Sequence, residues 1–299
     1  MAEGEGNNVC YRGAAVGNYM TPLVLLTGAT GFVGRQVLRA LIDEDVQVRV
    51  VVRLGKESHV AKLPSVESVV QTPDLFAESA DWWAKACNGI DMVIHVAWYA
   101  ETGKYLQSSA NLECLAGTLQ LAKGAAQAKV RRFIGIGTCA EYDLTPGTLE
   151  VSTPLRPLTP YAGSKAAAFL ALSQWLPHQG VEFAWCRLFY LYGEGEDVRR
   201  LVPYLRQQFT AGHPAELTSG EQIRDYMNVR DAGRMIVESA LSGQRGAINI
   251  CSGIPIKVRT FAEQISDEYG CRNLLRFGAR PENLVDPPCI VGVNNKQSL

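Results

Sequence analysis

Two rhythms of hydrophobic and polar positions alternate along the chain. Short strand-like segments rich in apolar residues recur at Leu23–Leu26, Val46–Val52, Met92–Ala97, Val130–Gly137 and Val181–Leu188, and the continuous run Met92–Ala97 reads as a strand buried on both faces of a parallel sheet. Between them lie segments of helical period. Val37, Leu38, Leu41 and Ile42 form one, and Asn111–Ala128 repeats Leu112, Leu115, Leu119 and Leu121 among alanines as a long helix. Val66–Val70 predicts a further short strand, and Asp81–Ala86 part of a helix leading to Gly89-Ile90-Asp91. Leu144–Pro160 is a loop rich in Pro and Thr. It ends at a helix that begins near Tyr161, carries Ala166, Ala167, Leu170 and Leu172, and stops around Pro177–Gly180. Such alternation predicts an α/β fold built on a doubly wound parallel sheet. Beyond Gly193 the pattern loosens into separated helices and short strands. The expected organisation is a loose extension over 1–20, a main domain over 21–193, and a smaller mixed α/β lobe over 194–299 that returns segments to the main domain.

Composition narrows the function classes. With 299 residues, 47% of them hydrophobic, the chain can bury one large α/β core with an appended lobe. A formal net charge of −1 leaves no basic face for nucleic acid, and no apolar run is long enough to span a bilayer. The eight cysteines include no C-x-x-C pair and several sit in apolar patterns, which suggests a reducing cytoplasm and no structural zinc or other metal. Residues 1–19 lack the apolar stretch of a secretion signal, and Met20 offers an alternative start.

The candidate chemistry begins at Gly28-Ala29-Thr30-Gly31-Phe32-Val33-Gly34, placed directly between an apolar strand and a helix. Glycine lets backbone turn sharply and approach a pyrophosphate, while the following helix offers unpaired N–H groups to the anion. A glycine turn without ligand has the same spacing, but here the whole strand-loop-helix-strand context surrounds it. Tyr161-Ala-Gly-Ser-Lys165 puts a phenol and an ammonium at i and i+4, on one side of a helix. A cation close to the tyrosine would lower its pKa from about 10 towards the working range. Thr138, at the carboxyl end of a separate strand, adds a hydroxyl for a carbonyl oxygen, and the three together suit hydride transfer to or from a nicotinamide. At the end of the second strand stands Arg53 and no carboxylate. A guanidinium there suits the 2′-phosphate of NADP(H), with Lys56 or Arg35 assisting, whereas an NAD site would carry an acid for the 2′-hydroxyl.

In order along the chain, Thr27–Gly34, Asp91–Ala97, Thr138–Tyr142, Tyr161–Lys165, Arg187–Gly193 and Arg224–Asp231 resemble an extended short-chain dehydrogenase/reductase of the nucleotide-sugar epimerase/dehydratase group, from about Leu23 to Asn295. That resemblance implies a Rossmann-type domain, a nucleotide-diphosphate sugar as substrate, and a homodimer through the helices near 111–128 and 161–175. It implies that Asn111 supports Lys165 through a water, that Asp74 and Leu75 flank the adenine, and that His95 to Ala97 line the pyrophosphate and ribose. For His95, simple packing at a strand end explains the residue equally well. Arg224 and Arg280 fall where relatives hold the diphosphate. Where the family pattern has Asn, Tyr190 stands, which weakens that inference. Relatives continue into a further helix where this chain has Val293–Leu299, so either a tail is missing or the lobe is short.

The reading that follows is an NADP(H)-dependent reductase of a 4-keto-6-deoxy nucleotide sugar. A 4,6-dehydratase is disfavoured because Cys139-Ala140, not Asp-Glu, follows Thr138, with Glu141 turned away if the segment is extended. Cys139 could serve a 3,5-epimerisation, though a small buried thiol accounts for it better. A 4-epimerase and a non-catalytic NADP(H)-sensing or scaffold protein of the same fold are the alternatives.

Overall fold

The computed structural model describes residues 22–283 and 286–294. The extension over 1–20, the start at Met20 and the end of the tail lie outside the described residues. Seven parallel strands form the main sheet: β1 (Leu23–Thr27), β2 (Gln47–Arg53), β3 (Val66–Thr72), β4 (Met92–His95), β5 (Arg132–Thr138), β6 (Glu182–Leu188) and β7 (Gly246–Ile250). Their spatial order is β7-β6-β5-β4-β1-β2-β3. The direction of winding reverses between β1 and β4, and ligands of such sheets bind at the strand ends beside that reversal.

Side-chain alternation along each strand feeds two cores. Val24, Leu26, Val48, Val50, Ile94, Ile134 and Ile248 point to one face, against α1 (Phe32–Asp43) and α6 (Val229–Leu241). Leu25, Val51, Val93, Phe133 and Phe183 point to the other, against α2 (Ala80–Ala86), α3 (Ala110–Gln127) and α4 (Pro160–His178). Burial on both faces is why β4 reads as a near-continuous apolar run. The α4 start is fixed by Thr159, whose hydroxyl accepts from Ala162 N, and by Pro160 in its first turn.

After residue 194 the chain leaves and returns. A third core gathers Val202, Leu205 and Phe209 of α5 (Leu201–Thr210) with Phe261, Ala262 and Ile265 of α7 (Val258–Glu268). Between these helices, α6 and β7 rejoin the main sheet, β7 pairing with β6. Short strands Ile223–Arg224, Ile256–Lys257 and Cys289–Gly292 form a small mixed sheet with Thr148–Leu149, which comes from inside the predicted 144–160 loop. Asp225 ties this lobe together: it is fully buried and its carboxylate accepts from the backbone N–H groups of Ser252, Gly253 and Gly292.

Candidate active site

A cleft of about 1460 Å³ opens along the carboxyl ends of β1, β2, β4 and β5 and continues onto the lobe. Pockets for one small molecule run to about 300–1,000 Å³, so there is room here for two ligands end to end. The glycine loop forms one wall, through Gly28, Thr30, Gly31, Phe32, Val33 and Gly34. Gly28 has φ +75, and a Cβ there would stand 2.7 Å from Ala97 N; a Cβ on Gly34 would stand 2.0 Å from Gly28 O. These two glycines are required by the strand-loop-helix packing itself. What the loop presents outward is the start of α1, which has Gly31 as N-cap, no side-chain cap and no acidic residue in its first turn. Unpaired first-turn N–H groups with a positive dipole end suit a pyrophosphate. Across the cleft lie Arg53 at the tip of β2, with no ion-pair partner among the described residues, and Asp74 and Leu75 after β3. The Asp74 carboxylate accepts from Phe76 N at 2.9 Å. Arg35, expected as a helper of Arg53, instead lies against Gly195, where a Cβ would be 3.3 Å from its guanidinium.

His95 is placed differently from the expectation of cofactor contact. Its ring is buried in the sheet, with Nδ1 2.8 Å from the Thr27 hydroxyl and Nε2 2.9 Å from the Thr118 hydroxyl, and it is absent from the cleft wall. Burial, with the Lys165 charge adding, pushes its pKa down to about 3, so it is a neutral structural bridge between β1 and α3. Ala97, two residues on, does line the cleft, and its N–H donates to the same Thr27 hydroxyl at 3.2 Å.

Thr138 and Tyr161 meet on the floor of the cleft. Thr138 caps the turn Cys139–Glu141, where its hydroxyl accepts from Ala140 N and Glu141 Oε1 accepts from its own N–H at 2.8 Å. Tyr161 lies edge-on to Tyr105, ring centroids 4.8 Å apart. Burial, and next the neighbouring Tyr105, raise its pKa above the ordinary phenol value, while the hydrogen-bonded Thr138 hydroxyl pulls the other way. The expected lowering by Lys165 is therefore not found. Lys165 is itself buried; its Nζ donates to Ile136 O at 2.6 Å and lies 3.8 Å from the centre of the Trp98 ring. Desolvation brings its pKa down to about 7, against the pull of Glu141. Asn111 is fully engaged: Oδ1 accepts from Trp98 Nε1 at 2.9 Å and Nδ2 donates to Tyr105 O and Ser108 O. The Trp98 indole that it holds is the one whose face lies on Lys165.

Glu141 is held away from the cleft. It is fully buried, accepts from Arg187 Nε at 2.7 Å and from Trp185 Nε1 at 3.0 Å, and so cannot act on a substrate. Cys139 does line the cleft, but burial pushes its thiol up to about 12. It therefore stands in the cleft as a neutral thiol near neutrality.

The lobe wall departs most from expectation. Tyr190 lines it, with its phenol raised by burial. Arg224 is buried behind the wall, 2% exposed; Nη2 lies 2.6 Å from the Asp286 carboxylate, a close charge contact outside hydrogen-bond alignment, and Nη1 donates to Ile223 O. Arg280 stacks on Tyr204, 4.7 Å from its ring centre, away from the cleft. The cation on this wall is Arg200, at the start of α5 and with no ion-pair partner among the described residues. Nothing in the local pattern singles out Arg200. Trp98 could have been found, since it directly follows the strand run Met92–Ala97 and so stands on the ligand edge. No cluster of three or more metal-ligating side chains occurs among the described residues.

Comparison with known proteins agrees with this architecture. The chain is 23% identical over 273 residues to dTDP-6-deoxy-L-talose 4-dehydrogenase (NAD(+)) of Aggregatibacter actinomycetemcomitans, covering 90% of this chain and 98% of that one. It is 28% identical over 245 residues to dTDP-glucose 4,6-dehydratase of Streptomyces griseus, covering 78% and 74%. Among solved structures it shares the fold of UDP-N-acetylglucosamine 4-epimerase from Methanobrevibacter ruminantium, with a TM-score of 0.82, 23% identity and coverage of 93% and 92%. The description "NAD dependent epimerase/dehydratase family" matches residues 24–251. With its sheet order, glycine loop and Thr-Tyr-Lys cleft, the chain belongs to the NAD-dependent epimerase/dehydratase family, enzymes of the extended short-chain dehydrogenase/reductase type.

Proposed function

We propose that this enzyme is an NADP(H)-dependent reductase of the 4-keto group of a 4-keto-6-deoxy nucleotide sugar. The observation that carries the reading is one continuous cleft with the glycine loop and an unpaired Arg53 at one end and Thr138 and Tyr161 at the other. Loop, Arg53, Asp74, Leu75 and Ala97 would hold the dinucleotide, which when bound supplies or accepts a hydride. Thr138 holds the substrate oxygen, Tyr161 gives it a proton, and Lys165 stabilises the phenolate that remains. Arg53 favours a 2′-phosphate because a guanidinium forms paired hydrogen bonds to it. The name of the talose relative describes dehydrogenation at the same carbon of a 6-deoxy sugar, the reverse direction, although with NAD(+). A dehydratase lacks its acid–base pair here, since Glu141 is locked to Arg187.

On the substrate side, Arg200 would take the diphosphate in place of Arg224 and Arg280. A homodimer is part of the same reading, supported by Leu112 and Leu170, 62% and 57% exposed on the adjacent helices α3 and α4. A cytoplasmic setting is supported by seven described cysteines without a disulfide and, among the described residues, no helix long and apolar enough to cross a membrane.

The test is NADPH oxidation with dTDP- and UDP-linked 4-keto-6-deoxyhexoses. The expected result is one NADPH oxidised per sugar reduced. Product without net oxidation would identify a 4-epimerase, which the fold likeness to such enzymes supports as the second reading. Bound NADPH with no turnover of any sugar would point to the sensing or scaffold role. Tyr161→Phe should lower kcat by about 10²–10⁴-fold and leave cofactor Kd nearly unchanged.

A further inference from the structure

Trp98 occupies a position that the proposed chemistry leaves unexplained. Its indole lines the cleft directly after the β4 run and is held at three places. The Nε1–H donates to Asn111 Oδ1 at 2.9 Å, the edge meets Phe76 with centroids 6.4 Å apart, and the ring face covers Lys165 Nζ at 3.8 Å. Asn111 is itself fixed, because both of its amide hydrogens go to backbone carbonyls, of Tyr105 and Ser108. The ammonium lies between the Ile136 carbonyl, to which it donates, and the Trp98 face, the nearer of two indoles, since the Trp185 ring centre is 5.9 Å away. We propose that Trp98 is the positioning residue of Lys165, joining Asn111 to the ammonium through its indole N–H on one side and its ring face on the other, and sealing the amine from water.

This inference rests on the reading of Tyr161 and Lys165 as the active-site pair, but it can be tested without substrate or cofactor. The titratable groups around Lys165 are Glu141 in the turn after β5, Cys114 on α3, His95 on β4, Tyr105 in the turn before α3, Arg187 on β6 tied to Glu141, and Tyr161 on its own helix. Of these, Glu141 and Cys114 act on it and both favour the charged form; desolvation outweighs them and brings the amine to about 7. An opened roof lets water reach Nζ and relieves that desolvation. The lost attraction of the ring for the cation acts in the opposite direction and is the smaller effect.

The experiment follows the pH dependence of Lys165 acetylation by acetic anhydride in the full chain, read on the Lys165 peptide by mass spectrometry. Wild type should show a midpoint near 7. Trp98→Ala should raise the midpoint by about one unit or more, and Trp98→Phe, which keeps an aromatic face, by less than about half a unit. If Trp98→Ala does not fold, Trp98→Leu takes its place under the same criterion, since it offers no ring face and leaves a gap beside Nζ. A midpoint unchanged in Trp98→Ala would reduce Trp98 to a piece of wall. A shift in Trp98→Phe as large as in Trp98→Ala would show that the ring face does not hold the lysine. Either result overturns the proposal even if NADPH is consumed normally, whereas an enzyme inactive on every nucleotide sugar that still shows these shifts would overturn only the functional reading.

Discussion

The two halves of the cleft are built by different means. On the cofactor half, the wall is the ends of buried parallel strands and the loop between β1 and α1, so each residue is fixed by backbone pairing and close packing. On the lobe half, the wall comes from short strands and turns whose charged side chains first satisfy one another. Arg224 lies against Asp286, Arg280 stacks on Tyr204, and Arg199 pairs with Asp197 at 2.7 Å. A motif carried by a strand end keeps its meaning in the fold, because strand register dictates where it goes. A lone arginine in a lobe does not, because any nearby carboxylate or ring can claim it.

The largest effect that would break this contrast is at the Glu141–Arg187 pair, buried on both sides, which holds the Thr138 turn. Glu141→Ala should cost about 3–5 kcal/mol in chemical denaturation, because it strands the Arg187 charge in the core. A loss below about 1 kcal/mol would mean that the turn is not anchored this way. Next is Arg53→Ala, expected to weaken NADPH binding by about 10–100-fold and leave NADH nearly unchanged in parallel titrations. Equal losses for both cofactors would remove the 2′-phosphate from the account. On the lobe, Arg200→Ala should raise the KM for nucleotide sugar by about tenfold while Arg280→Ala stays within about twofold. The reverse ranking would return the diphosphate to the position the family pattern implies.

A pH series sharpens the picture of His95. Its folded pKa of about 3 lies below the ordinary value of 6.5, so the unfolded chain binds the proton first. His95 contributes fully to stability above about pH 6.5 and loses that contribution at about 1.4 kcal/mol per pH unit as pH falls towards 3. Denaturation midpoints of wild type and His95→Gln at several pH values should converge on acidification. Parallel lines would mean that His95 is charged in the fold.

The main sheet was largely legible. The strands predicted at Met92–Ala97 and Val181–Leu188 are β4 and β6 within a few residues at the ends, and the predicted Tyr161 helix is α4. The short strand Thr148–Leu149 was not legible, because two residues carry no periodicity and its partner, Cys289–Gly292, lies at the other end of the chain. His95 shows the same limit on the cofactor half. Its place at a strand end was visible, but the two hydroxyls that take up its ring come from β1 and α3.

The sequence by itself determined the alternation of strand and helix, the glycine loop, and the presence of Thr138, Tyr161 and Lys165 at strand and helix ends, because these follow from local period and from backbone geometry that only certain residues permit. Tertiary structure alone decided which charges stay available. Glu141 was spent on Arg187, Arg224 was set against Asp286, Lys165 was placed under Trp98, and Arg53 and Arg200 were left facing the cleft. The physical reason is that a charge is claimed by whatever group packing brings within a few ångströms, and sequence spacing does not encode that distance.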